Sequence, residues 1–207
     1  MLKIIWYGHS CFKFISDTAS LVMDPYEDID GLQMPDISAN FCYCSHNHFD
    51  HNAKHYVSLI PSESFINLET IEVPHDHHGG AHRGMNKIHI FSMGGYTIAH
   101  LGDIGCVPDA SVLEPLRGFD IILAPINGFY TINAKELRDI CNIIKPRLVI
   151  PMHYFRRENM SGLPDDKQIE KFKQLFNYKE VNDSSIIINE KVFDNEALIF
   201  TRSEGDE

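Results

Sequence analysis

Positive charge is scarce in this sequence: 18 Lys and Arg stand against 29 Asp and Glu, a formal net charge of −11. Such a field repels phosphate backbones and anionic bilayers, so neither nucleic acid nor membrane is an expected partner. Long apolar runs are also missing. None approaches the ~20 residues of a membrane-spanning helix, and the opening run is broken by Gly8 and His9 too early for a signal-peptide core. Cysteine is sparse and unpatterned. Cys11, Cys42, Cys44, Cys106 and Cys141 are odd in number and contain no CxxC, which argues against a disulfide framework and against a thiolate zinc site. Reduced thiols in a cytoplasmic protein are expected. No repeat, low-complexity stretch or linker marks a domain boundary.

What is present is the composition of an ordinary globular chain, with 43% hydrophobic and 23% charged residues in 207 positions. That length buries roughly 70% of the surface its unfolded form exposes, so residues 1–207 are expected to form one domain. Strand-like runs cover Leu2 to Tyr7, Ser20 to Asp24 and Phe41 to Cys44. Gly94-Gly95 joins Lys87–Met93 to Tyr96–His100 as a hairpin, because both turn residues can adopt positive φ. Asp120 to Ala124 and Arg147 to Ile150 are short buried strands, separated by a helix over Ala134–Ile144. Asn133 caps that helix, Glu136 stands in capping-box position and Pro146 ends it. A second helix is expected from Asp165 to about Phe176, strands at Ser185–Ile188 and Ala197–Thr201, and a frayed tail from Ser203. The class is α/β, but this pattern alone fits several layer architectures.

The chemistry concentrates in Ser45-His46-Asn47-His48-Phe49-Asp50-His51, directly after a strand. His46 and His48 point the same way if the strand continues, and a following turn brings Asp50 and His51 to a neighbouring position. One segment can then serve two metals. Imidazole and carboxylate are ligands that zinc accepts, and hydrolytic sites leave a coordination position for water. His75, just beyond an extended run, offers a further ligand for the first metal, whereas His77, His78 and His82 read as polar loop residues or as groups that support the ligands from behind. Asp103, flanked by Gly102 and Gly105, can reach between two ions, and His153 at the end of a buried strand completes the second site. His55, four residues beyond His51 in a short helix, reads as a surface or supporting histidine.

In this order the motifs resemble those of the metallo-β-lactamase superfamily, whose signature runs Asp, HxHxDH, His, Asp, His. The likeness spans about Gly8 to Tyr154 and implies an αββα sandwich with the site at one sheet edge. It further implies that Asp24 holds the metal-binding loops, and that Asp24, Asp50 and Asp103 are the carboxylates on which catalysis depends. Carried over by position, His46, His48 and His75 take the first metal, Asp50, His51 and His153 the second, and Asp103 bridges them. Tyr7-Gly8-His9-Ser10-Cys11-Phe12, His100-Leu101-Gly102-Asp103 and Pro151-Met152-His153-Tyr154 are similar to the compact lactonase-like branch that includes ascorbate-6-phosphate lactonases. The chain departs from that branch at Pro125-Ile126-Asn127-Gly128-Phe129, where paired glycines are common.

The expected activity is metal-dependent hydrolysis of a small lactone, ester or phosphoester by a water whose pKa two Zn²⁺ ions lower toward ~7, with Mn²⁺ or Fe as alternative ions. Arg83, Tyr130, Tyr154 and His9 are candidate substrate-binding donors, Arg83 as the anchor of an anionic group. The partner is a small-molecule substrate, and a homo-oligomer is left open. An iron-dependent redox enzyme of the same superfamily and a non-catalytic metal-binding regulatory protein are the alternatives.

Overall fold

The computed structural model describes residues 1–29, 32–154, 167–190 and 193–201. The N-terminal half runs β1 (Leu2–Gly8), β2 (Cys11–Ile15), β3 (Ser20–Met23), β4 (Ile37–Ala39), β5 (Phe41–Tyr43), β6 (Val57–Leu59), β7 (Leu68–Pro74), β8 (Met85–Met93) and β9 (Tyr96–His100). The rest runs α1 (Ala110–Leu113), β10 (Ile121–Pro125), α2 (Ala134–Ile144), β11 (Leu148–Met152), α3 (Gln168–Leu175), β12 (Tyr178–Val181), β13 (Ser185–Ile188) and β14 (Glu196–Phe200).

Two sheets face each other, one ordered β13-β1-β2-β3-β5 and the other β12-β14-β11-β10-β9-β8-β7. Period-two alternation drives the first. Leu2, Ile4, Trp6, Phe12, Phe14, Leu21 and Met23 point into the large core. Rings cross between the sheets: Phe14 meets Phe91 edge-on at 5.3 Å, and Phe12 meets Phe200 at 6.2 Å. From the opposite face of the first sheet, Cys11 and Val22 pack with Tyr26, Leu32, Met34, Ala39 and Val57. That outer layer is therefore built by the chain after β3 and the small β4–β6 pair.

In the larger sheet β9, β10, β11 and β14 are parallel, and β10 and β11 are buried along their whole length. Strands covered on both faces read as unbroken apolar runs, and both do. α2 is the crossover between them and buries Ala134, Leu137, Ile140, Cys141 and Ile144. Because β9, β10 and β11 run the same way, the loops that follow them gather at one edge.

The hairpin closes with Met93 opposite Tyr96 and both glycines at positive φ. α2 has the expected limits and the reciprocal Asn133–Glu136 capping box, and its last turn ends at Lys145 in the left-handed region. α3 begins at Gln168. Asp165 and the tail from Ser203 lie outside the described residues. The short helix expected near His55 is a 3₁₀ turn over Lys54–Tyr56. β2, β4, β6, most of β7 and β12 were not expected; β4 and β6 are three residues long, and β7 and β12 lie at sheet edges with largely exposed side chains.

Asn133→Ala removes the side chain that accepts from the Lys135 and Glu136 amides. It should cost about 1 kcal/mol of stability in urea unfolding, with activity largely retained.

Candidate metal centre

Each segment of the histidine and aspartate constellation follows a strand: His9 after β1, Asp24 after β3, His46 to His51 after β5, His75 after β7, Asp103 after β9 and His153 after β11. These loops meet at one edge of the sandwich. Of the five non-glycine residues at positive φ among the described residues, three are His9, Asp24 and His153, a backbone state costly enough to persist only where surroundings enforce it. His153 N–H donates to the His9 carbonyl at 3.2 Å, joining the two sheets beneath the site.

Asp24 is fully buried and organises the first loop. Ser45 N–H and Oγ–H donate to its two oxygens at 2.6 and 2.7 Å. His51 Nδ1–H donates to Oδ2 at 2.9 Å, which leaves His51 Nε2 facing inward. Ser45 Oγ has given its one proton to Asp24, so it accepts from His46 Nδ1–H at 2.9 Å and leaves His46 Nε2 free. Burial opposes ionisation of Asp24, but the His51 hydrogen bond and nearby imidazoles outweigh it and hold the carboxyl well below the usual range.

The imidazoles and carboxylates form three groups with atoms close enough to share an ion: His46, His48 and His75; His9, Asp50, His51 and His153; and His46, His51 and Asp103. Asp103 lies between the first two. Its Oδ2 is 3.3 Å from His51 Nε2, 3.5 Å from His75 Nε2 and 3.2 Å from His153 Nε2. Asn86 Oδ1 accepts from Asp103 N–H at 2.8 Å and fixes that turn. A Cβ on Gly102 would stand 2.2 Å from the same Oδ1 and 2.5 Å from Ser45 Cβ, so only glycine lets the Asp103 turn pack on the histidine loop.

Burial depresses the pKa of His46 to about 3 and of His9 to about 4, with His51 and His153 respectively adding to it. His51 behaves oppositely: burial disfavours its charge, but Asp103 and Asp24 outweigh that and raise it well above its ordinary value. Asp50 and Asp103 resist their own burial through His9 and His51 in one case and His153 and His51 in the other, and both stay ionised far into acid. This is a pocket of buried negative charge that calls for cationic partners.

Its donor atoms are also unpartnered. His9 Nε2, His46 Nε2, His48 Nδ1, Asp50 Oδ1, His51 Nε2, both nitrogens of His75 and Asp103 Oδ1 are buried without a hydrogen bond. Orphaned buried polar atoms are costly, and here they converge on one small volume. The residues therefore fit a metal centre.

Several expected roles change. Tyr154 is not a substrate donor: it is buried, stacks on Trp6 at 5.5 Å and donates its hydroxyl to the Phe200 carbonyl at 2.6 Å. His9 faces Asp50 Oδ2 at 3.4 Å and does not line the open cavity, so it is corrected from substrate donor to member of the second cluster. Asp24 sits behind His51, away from the cavity, and acts by positioning. Arg83 and Tyr130 do line the cavity, with Asp50, His75, Asp103 and His153. His77 is half exposed beside Glu136, and His55 beside Glu27.

Sequence reasoning missed Asp76, Asn86 and His100. Asp76 accepts from the amides of His78, Gly80, His82 and Arg83 at 2.7 to 3.0 Å, pinning the whole loop after His75. His100, fully buried, accepts from Gly102 N–H through Nδ1 and donates through Nε2 to the Ser10 carbonyl. An aspartate three residues ahead of a Gly-Gly turn is the one available signal for Asp76.

Fold and site together define a β-lactamase-superfamily protein, and the profile of the beta-lactamase superfamily domain matches residues 3–153; the chain belongs to that superfamily. More particularly, it is 31% identical over 185 residues to a UPF0173 protein of Pyrococcus abyssi, covering 74% of this chain and 83% of that one. A UPF0173 metal-dependent hydrolase of Natranaerobius thermophilus is 25% identical, with 82% and 90% covered. Among solved structures, a candidate Zn-dependent hydrolase of the metallo-β-lactamase superfamily from Thermotoga maritima superposes with a TM-score of 0.76 at 26% identity, covering 97% of this chain and 98% of that one.

Two consequences are measurable. Gly102→Ala should unseat the Asp103 turn and lower metal content, read by elemental analysis. Asp76→Ala should raise amide exchange at His78, Gly80, His82 and Arg83. The four amides hold Asp76 ionised below the ordinary carboxylate range. Its stabilisation is therefore present above a pH of roughly 4 and is lost as pH falls through the depressed folded value.

Proposed function

We propose that the chain is a metal-dependent hydrolase with a dinuclear, zinc-preferring centre that cleaves a small lactone, ester or phosphoester. His46, His48 and His75 hold one ion, Asp50, His51 and His153 the other, and Asp103 lies between them. The observation that carries this reading is the convergence of unpartnered buried donor atoms from all seven residues but His153 on one edge of the sandwich. Histidine and carboxylate without thiolate, leaving room for water, suit hydrolytic zinc.

When bound, such a pair supplies Lewis acidity and a water acidic enough to ionise near neutral pH. The protein residues supply the rest. Asp24 and Ser45 fix the His51 and His46 tautomers, so that Nε2 of each is the free nitrogen. Asp103 Oδ2, within 3.5 Å of three imidazoles, is the ionised carboxylate around which His51, His75 and His153 are gathered. Tyr130, exposed at the cavity, offers its hydroxyl to a bound substrate. No described helix is long and apolar enough to cross a membrane. Free thiols at all five cysteines favour a reducing, cytoplasmic setting for the single domain.

Purified protein should carry up to two transition-metal ions. Chelation should abolish hydrolysis and lower the melting temperature, since metal at a hundred times its Kd adds about 2.7 kcal/mol per site. His48→Ala and His153→Ala should each reduce turnover at least about a hundredfold, while His55→Ala keeps its metal. A metal-free preparation of full activity would refute the reading, and iron as the native ion would redirect it to redox chemistry.

A further inference from the structure

The cavity beside the candidate metal centre, about 140 Å³, has walls of opposite kind. One is the centre itself, with Asp50, His75, Asp103 and His153. The other carries Arg83 on the loop between β7 and β8, and Tyr130 on the loop between β10 and α2. We propose that Arg83 and Tyr130 form an oxyanion-binding subsite, so that the substrate carries a carboxylate or phosphate group in addition to the bond that is cleaved. The inference rests on the hydrolase reading for what is cleaved, but not for what is bound.

Three observations carry it. First, Arg83 is held in place from both ends. Its backbone N–H donates to Asp76 Oδ2 at 2.8 Å within the pinned loop, and its guanidinium carbon lies 4.6 Å from the centroid of the Tyr130 ring. An arginine covered on one face by an aromatic ring keeps its N–H edge in a fixed plane, ready for two parallel hydrogen bonds to an oxyanion. Second, that edge is unused. Among the described residues no carboxylate lies within ion-pair distance of the guanidinium, although the chain has 11 more acidic than basic residues, and Nε is shielded from solvent without a partner. The nearby carboxylate of Asp76 is spent on backbone amides. Third, the charge faces cations. Arg83 lines the same cavity as His75 and His153 of the centre. Two divalent ions opposite only two carboxylates, Asp50 and Asp103, would leave that end of the cavity positive as well. A positive centre at each end of so small a space favours a ligand with negative charge at both ends.

The size of the cavity sets the rest of the class. Arg83 shares it with Asp103 and His153, so the anionic group and the hydrolysed bond belong to one compact molecule. Polyanions are disfavoured by the net charge of −11.

The test uses metal-loaded wild type, Arg83→Ala and Arg83→Lys, each with its metal content measured, and three probes titrated calorimetrically. Acetate offers one anionic end; succinate and phosphonoacetate offer two. Wild type should bind the two-ended probes at least about tenfold more tightly than acetate. Arg83→Ala should lose about tenfold to a hundredfold on them with little change for acetate, and Arg83→Lys should recover part of the loss. A loss confined to succinate or to phosphonoacetate identifies the native group as carboxylate or phosphate. Equal affinity of wild type and Arg83→Ala for both two-ended probes overturns the subsite, whatever the hydrolytic activity. Charge discrimination without hydrolysis of any lactone, ester or phosphoester supports the subsite and refutes the hydrolase reading instead.

Discussion

A carboxylate with no solvent around it must be surrounded by donors, and Asp24 is such a group: it is fully buried and bonded to Ser45 twice and His51 once. Those three bonds decide the direction of two imidazoles. Ser45 passes the constraint to His46, and His51 takes it directly, so the inward nitrogens of both rings follow from one side chain below them. Asp24 itself is held at a positive φ of 49°, at the end of a strand whose neighbours on either side belong to the same sheet. The geometry of the centre is thus inherited from sheet pairing. It does not depend on the loops finding their own conformation.

The same relation holds on the opposite sheet. Asp103 and His153 follow β9 and β11, the strands on either side of β10 in the parallel set, and Asn86 on β8 ties the Asp103 turn to its neighbour strand. Trp6, from the first sheet, donates to the His9 carbonyl and stacks on Tyr154 beyond β11. The two halves of the centre come from different sheets and are locked by this contact beneath it. Loosening the packing between the sheets would separate the ligands without altering any of them.

What was legible in the sequence was local chemistry. The HxHxDH segment declares itself because three imidazoles and a carboxylate within six residues have few structural uses, and α2 because its cap and its stop lie within the helix's own neighbourhood. What was illegible depended on partners far along the chain. Tyr154 looked available beside His153, but its hydroxyl is consumed by a carbonyl 46 residues later. Asp76 carries no signal of its role beyond its place before Gly79-Gly80, because nothing in the string shows that four amides fold back onto it. His9 was assigned to the substrate since its approach to Asp50 exists only once β1 and the histidine loop are brought together. The short and edge strands escaped for a related reason: with few side chains buried, their alternation carries little signal.

The cost of assembling this edge explains why it concentrates strain. Three non-glycine residues in the left-handed region and a set of unsatisfied buried atoms each work against folding, and a core alone could discard them at a profit in stability. Their retention is intelligible if the lost interactions are restored by a ligand that binds the folded chain and not the unfolded one. On that view Asp24 and Asp103, the carboxylates that raise the pKa of His51 against its burial, are the charges that a bound cation would balance. Among the described residues of the edge, Arg83 is a cation that no resident metal can satisfy, since its sign is the same. Its unused N–H groups therefore point to something that arrives with negative charge and leaves again, which is what distinguishes a substrate from a structural ion.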